Sequence, residues 1–155
     1  MIHQIEITFK NNIKDHHGEH LLHDVSEIGI TGINDIRSCQ LYSFEGNISK
    51  DDAEQIAKKL LSDPITEEFR IVDPADEKEL GRTGYHSVEV WLKHGVTDTV
   101  SESVRKAVKD LGFGQDMGIK TGQKYFFKGK FAVKRLEQLS EKLLVNPIIQ
   151  TYKII

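Results

Sequence analysis

Only one cysteine, Cys39, occurs among the 155 residues. A single thiol excludes an intramolecular disulfide framework and fits a reducing compartment. The chain also lacks any apolar run near the ~18 residues that span a bilayer. Its opening, MIHQIEITFK, alternates apolar and polar residues and does not form the unbroken apolar core of a signal peptide. The expected location is therefore the cytoplasm, with no membrane partner. Excess charge of one sign is missing too, since 21 Lys and Arg face 24 Asp and Glu. The cations are dispersed, with no basic run and no RNP-like aromatic motif. Nucleic acid is disfavoured, because phosphate binding needs a concentrated positive footprint.

The common chemical signatures are absent as well. There is no GxxxxGK[ST], no GxSxG and no HExxH. What remains is an ordinary globular composition, 38% hydrophobic and 29% charged, in a chain long enough for a substantial core.

The chain is written twice. IEITFKNNIKD at Ile5–Asp15 aligns with VEVWLKHGVTD at Val88–Asp98, an offset of 83. The same offset pairs SEIGI with KDLGF, LYSFEG with KYFFKG, and KLLSDPI with KLLVNPI. The match runs without a gap from Ile5 to Val72 and contains 19 identities in 68 positions, too many over one uninterrupted span for chance. Two repeats are expected, 1–72 and 85–155, joined by a polar linker at 73–84.

Comparing the repeats sharpens the local reading. IHQIEITF and YHSVEVWL have period two and predict opening strands. Asp15 and Asp98 are the expected N-caps of helices that stop at Gly29 and Gly112, where a C′ glycine is favoured. Val100, Val104, Ala107, Val108 and Leu111 form the apolar stripe of one helix; Leu21, Val25 and Ile28 keep most of it in the other. A strand follows, bent or bulged near Cys39 and Gly122. The second helices carry Ala53, Ile56, Leu60 and Leu61, or Leu136, Leu139, Leu143 and Leu144. Asp63-Pro64 and Asn146-Pro147 end them, because a residue before proline avoids helical geometry. ITEEFRIV and IIQTYKII close the repeats as strands. The fold class expected is α+β: two tandem ferredoxin-like β-α-β(β)-α-β units with antiparallel sheets, forming an intramolecular pseudo-dimer.

Several residues invite a chemical role, each against a structural alternative. DHHGEHLLHD, residues 15–24, sets His16, His20 and His23 on one helix face, a spacing that can hold zinc. The sister helix has Thr99, Ser103 and Lys106 at these places, so the histidines read as a polar face able to bind metal only adventitiously. His17 matches Val100 and is expected on the core side. Glycines in GFGQDMGIKTG, residues 112–122, resemble a phosphate cradle but suit a helix stop at Gly112, a turn at Gly118 and a bulge at Gly122. Cys39 is expected as a packed strand thiol. The carboxylates are expected to be solvated, with no pair marking a general acid and base.

The second repeat's VEVWLKHGVTD, KDLGF, IKTGQKYFFKG and EKLLVNPIIQTYKI resemble the small PurS subunit family of phosphoribosylformylglycinamidine synthase. The first repeat carries the likeness as IEITFKNNIKDHHGE, SEIGI, INDIRSCQLYSFEG and KKLLSDPITEEFRI. The tandem form is similar to the duplicated PurS-like region that opens some longer synthetase chains. The resemblance implies a component with no catalytic site and no bound cofactor of its own. Its partners would be an ATP-dependent synthetase and a glutaminase, which it bridges. Together they would use ATP, Mg and glutamine to aminate formylglycinamide ribonucleotide in purine biosynthesis, as a glutamine-dependent C–N ligase. Further self-association is left open. The family's strand arginine is matched by Arg37 and by Lys120; its following glycine is kept as Gly122 but is Cys39 in the first repeat, and its lysine is glutamine in both, at Gln40 and Gln123, departures that speak against a phosphate-contacting role for that turn. Arg37, Tyr42, Lys120, Gln123 and Tyr125 are the candidate partner-interface residues, with sheet packing the alternative for both tyrosines.

A tandem ACT-like module that binds amino acids is the competing reading, since that family also pairs units of this size. Its ligand site wants a glycine turn after the first strand, which Gly95 supplies in one repeat and Asn12 does not in the other.

Overall fold

The computed structural model describes residues 2–72, 86–113 and 117–155. The linker at 73–84 lies outside the described residues, as does 114–116 in the glycine-rich stretch. In chain order the elements are β1 (Ile2–Phe9), α1 (His16–Glu27), β2 (Ile33–Glu45), α2 (Lys50–Ile56), β3 (Glu67–Val72), β4 (His86–Leu92), α3 (Thr99–Asp110), β5 (Gly118–Gly129), α4 (Val133–Leu139) and β6 (Gln150–Ile154). Each repeat therefore runs strand, helix, long strand, helix, strand, the expected α+β order.

The signals that set the boundaries act as the sequence suggests. Asp15 and Asp98 cap α1 and α3, accepting the N–H of Gly18 and Ser101 at 2.9 Å each. Gly29 and Gly112 lie just past those helices at φ +85° and +90°, a backbone region that L side chains avoid. α2 and α4 each run into a π turn, Ala57–Leu61 and Ser140–Leu144, before the Pro64 and Pro147 segments end them.

Two compact units result, and each takes pieces of both repeats. Unit 1 takes in the described residues of Met1–Ile13, Gln40–Asp76 and Thr97–Gly122. Unit 2 takes in those of Lys14–Cys39, Glu77–Val96 and Gln123–Ile155. The long strands β2 and β5 thus serve as two strand segments each, changing unit after Cys39 and after Gly122.

In unit 1 the strand order is β3-β1-β2-β5. β1 is antiparallel to β2 from Ile2↔Glu45 to Ile7↔Gln40, and antiparallel to β3 from Gln4↔Val72 to Phe9↔Glu67. Its core joins Ile5, Ile7, Phe44, Ala53 and Ile56 of the first repeat to Val104, Val108 and Ile119 of the second. Burying such side chains contributes roughly 1.5–3 kcal/mol apiece, so the borrowed helix α3 is a major part of this unit's stability.

Unit 2 mirrors that construction, with strand order β2-β5-β4-β6 and β4 antiparallel to β6 from Val88↔Ile154 to Leu92↔Gln150. Val88, Val90, Phe127, Leu136 and Leu139 of the second repeat close on Leu21, Val25 and Ile36 of the first.

Some expected core positions lie outside. Val100, Leu111 and Ile28 are exposed. Val100 lies in the first turn of α3, and Leu111 and Ile28 are the C-caps just past α3 and α1. His17, placed beside Val100 by the repeat, is exposed as well, because Gly18 and Ser101 take the buried position in the first turn. Gly118 opens β5 and does not form a turn.

Candidate functional site

The five candidate interface residues fall on the long strands, in different units. Tyr42 and Lys120 belong to unit 1; Arg37, Gln123 and Tyr125 belong to unit 2. Lys120 is exposed, whereas Arg37 and Gln123 are half-buried. Tyr42 packs on the core of unit 1. Burial, then the nearby charge of Glu67, push its hydroxyl above the ordinary tyrosine range. Tyr125 is a member of the unit 2 core at 6% exposure, and burial raises its hydroxyl likewise. That hydroxyl lies 3.2 Å from His17 Nε2, with the two rings tilted against each other. His17 therefore covers a core tyrosine from outside.

His16, His20 and His23 all point to solvent, and His23 lies 3.5 Å from Glu27 one turn on. Among the described residues no group of three His, Cys, Asp or Glu side chains converges on a possible metal position. Cys39 is a buried thiol within β2.

The expectation that the carboxylates are solvated fails at four places. Asp15 and Asp98 are drawn into the structure. Asp15 Oδ2 accepts the Ser38 N–H at 2.6 Å and Oδ1 the Ser38 hydroxyl at 2.8 Å. Asp98 Oδ2 accepts the Thr121 N–H at 3.0 Å, and its carboxylate takes the Thr121 hydroxyl as well. Each cap thus ties a helix start to a long strand. Glu6 and Glu89, equivalent residues in β1 and β4, are 2% and 6% exposed. Arg70 Nη2 donates to Glu6 at 2.8 Å, and Trp91 Nε1 donates to Glu89 at 3.0 Å. Lys124, itself buried, sits 3.6 Å from Glu89. The sequence did carry a signal for this: one acid repeated between two apolar residues, Ile5/Ile7 and Val88/Val90, mid-strand in both copies.

A second matched feature also escaped the sequence reading. The turns before β3 and β6 hold their prolines and present an isoleucine outward, Ile65 at 78% and Ile148 at 81% exposure. In unit 1 the Ile65 N–H donates to Asp63 Oδ1 at 2.9 Å, and the Asp63 N–H donates to Glu67 Oε1 at 2.9 Å. Lys10 Nζ donates to the Pro64 carbonyl at 2.6 Å. In unit 2 the Ile148 N–H donates to Asn146 Oδ1 at 3.1 Å, and the Asn146 N–H to Gln150 Oε1 at 2.8 Å. Taken together, the buried acids hold the fold while the turns offer apolar contacts.

No helix among the described residues is long and apolar enough to cross a membrane. Comparison with known proteins gives a consistent picture. The family described as PurS, Phosphoribosylformylglycinamidine (FGAM) synthase, matches residues 3–73 and again 85–155. The phosphoribosylformylglycinamidine synthase subunit PurS of Archaeoglobus fulgidus is 33% identical over 73 residues, covering 44% of this chain and 91% of that protein. A crystal structure of Methanocaldococcus jannaschii PurS, titled as one of the subunits of formylglycinamide ribonucleotide amidotransferase in the purine biosynthetic pathway, is 25% identical. It covers 46% of this chain and 92% of that one, with a TM-score of 0.42. Each relative spans about one repeat.

Proposed function

The chain belongs to the PurS family of FGAM synthase, and from that we propose that it is the PurS component of this glutamine-dependent ligase, with both copies of the module in one chain. In this reading it bridges the ATP-dependent synthetase to the glutaminase and performs no bond chemistry itself. ATP, Mg and glutamine are handled by those partners, and ammonia released by the glutaminase aminates formylglycinamide ribonucleotide on the synthetase. The observation that carries the reading is the family match over both repeats, 3–73 and 85–155.

The chemistry of the side chains agrees with a scaffold. Asp15, Asp98, Glu6 and Glu89 are each engaged in caps or ion pairs within the fold. Their carboxylates accept hydrogen bonds from backbone amides, hydroxyls and an indole or pair with cations, and so hold helix starts and strands in place. Duplication in one chain also keeps the two copies at high effective concentration and lets them diverge, which two identical subunits cannot do.

The test is product formation by the synthetase and glutaminase of the same source, supplied with either glutamine or ammonium. Adding the chain is expected to raise the glutamine-supported rate strongly and leave the ammonium-supported rate nearly unchanged. An equal glutamine-supported rate without the chain would overturn the proposal.

A further inference from the structure

β3 ends the sheet of unit 1. β1 lies on one side of it, and among the described residues no strand lies on the other. The backbone shows what that edge offers. The Lys10 N–H donates to the Thr66 carbonyl at 3.0 Å, and bonding alternates along an antiparallel ladder. Glu68, Arg70 and Val72 therefore turn their backbone groups toward β1, while Phe69 and Ile71 turn theirs outward. β6 ends the sheet of unit 2 in the same way. There the Lys93 N–H donates to the Ile149 carbonyl at 2.8 Å, which leaves Tyr152 and Ile154 turned outward.

The side chains set the two edges apart. Phe69 and Ile71 pack on the core of unit 1 but are only half-buried, so an added strand would complete their cover. The other face of β3 carries the exposed Glu68 and the half-buried Arg70, one on each side of Phe69. Run antiparallel about Phe69, the strand is its own complement, with Glu68 of each copy opposite Arg70 of the other. These are non-hydrogen-bonded positions, where opposed side chains lie closest. Arg70 Nη2 donates to Glu6, yet its side chain is 40% exposed, and a guanidinium fork can serve more than one carboxylate. On β6 the same positions hold Thr151 and Lys153, a cation with no acid to meet, which blunts an edge. Pairing β3 with β6 of another copy would match Glu68 to Lys153 but leave Arg70 opposite Thr151. The other charges at this end stand apart from the pairing. Lys10 Nζ is bonded to the Pro64 carbonyl, and Asp63 caps the Ile65 N–H, both in the turn ahead of β3. Glu67 is held by the Asp63 N–H and comes opposite Ile71.

We propose that β3 is a docking edge for a second copy of this chain, the two β3 strands pairing antiparallel about Phe69 in a closed two-fold dimer. The Phe69 N–H would donate to the Phe69 carbonyl and the Ile71 N–H to the Glu67 carbonyl, in both directions. The inference goes beyond the function proposed above and does not depend on it.

The experiment is sedimentation equilibrium of the full chain from about 1 μM to about 100 μM, with backbone amide exchange followed by NMR at both ends of that range. A monomer–dimer equilibrium is expected. The Phe69 and Ile71 amides are expected to exchange more slowly at the high end, while those of Tyr152 and Ile154 keep their rates. Glu68→Lys sets like charges opposite each other and is expected to weaken the dimer by about tenfold or more. Its melting curve at the low end, where the parent is monomeric, is expected to match the parent's. A parent chain that stays monomeric throughout overturns the proposal. So does a dimer whose affinity Glu68→Lys changes by less than about twofold, or one in which the Tyr152 and Ile154 amides slow as well.

Discussion

Asp15 holds Ser38 by two hydrogen bonds, from the backbone N–H at 2.6 Å and from the hydroxyl at 2.8 Å, while the same carboxylate caps α1 through Gly18. Asp98 repeats the arrangement with Thr121 and Ser101. The helix start and the long strand are therefore fastened at one point in each unit.

Replacing Asp15 removes a cap and strips a strand amide of its acceptor. Asp15→Ala is expected to cost about 2–3 kcal/mol, summing a typical cap with an unmade bond to a charged acceptor. Asp15→Asn keeps an acceptor oxygen and should recover part of the loss. Urea denaturation midpoints measure both.

The interleaved units make a second prediction. Unit 1 needs α3 of the second repeat and unit 2 needs α1 of the first. Cutting the chain between residues 73 and 84 should leave the halves bound to each other in a one-to-one complex under native conditions. Size-exclusion chromatography with intact-mass analysis reads the result. Two separate folded monomers would contradict the interleaving.

Glu89 and Lys124 form a buried pair whose repeat counterparts are Glu6 and the apolar Leu41. Lys124→Leu leaves the Glu89 charge without that cation and is expected to cost about 3–5 kcal/mol. Adding Glu89→Gln should return a good part of it, since the uncompensated charge is the source of the penalty. Denaturant melts of the single and double variants separate loss of the ion pair from loss of packing.

Alkaline pH offers a further check. Burial raises the Tyr125 hydroxyl, and burial with the Glu67 charge raises that of Tyr42. An unfolded tyrosine ionises near pH 10. Between that value and the higher folded one, the folded chain holds more protons than the unfolded chain, so stability falls as pH rises. The contribution is complete below about pH 10 and is lost as pH climbs through the folded values. Denaturation midpoints across this window should decline less steeply in Tyr125→Phe than in the parent.

Much of this was legible in the sequence because its causes are local. Period-two strands, aspartate caps, the glycines at 29 and 112 and the helix-ending prolines act within a few residues of their own positions. The exchange of elements between repeats was not legible. Leu21 and Val25 on α1 present the same apolar stripe as Val104 and Val108 on α3, so either helix pattern suits either set of strands. The chain changes unit after Ile13, Cys39, Val96 and Gly122, and those crossings decide which strands each helix meets. The burial of Glu6 and Glu89 was also hidden, because strand alternation shows that two faces differ without showing that both are covered. The outward isoleucines were missed for the opposite reason. In ITEEFRIV and IIQTYKII an isoleucine reads as the first core residue of a strand, whereas β3 and β6 begin two residues later, at Glu67 and Gln150.

Assembly tests the central claim most directly. Synthetase and glutaminase would be mixed with glutamine, with and without the intact chain, and weighed by sedimentation velocity. A complex containing all three proteins that forms only when the chain is present is the predicted result. Synthetase and glutaminase associating to the same extent without it, while the chain sediments alone, would contradict the account.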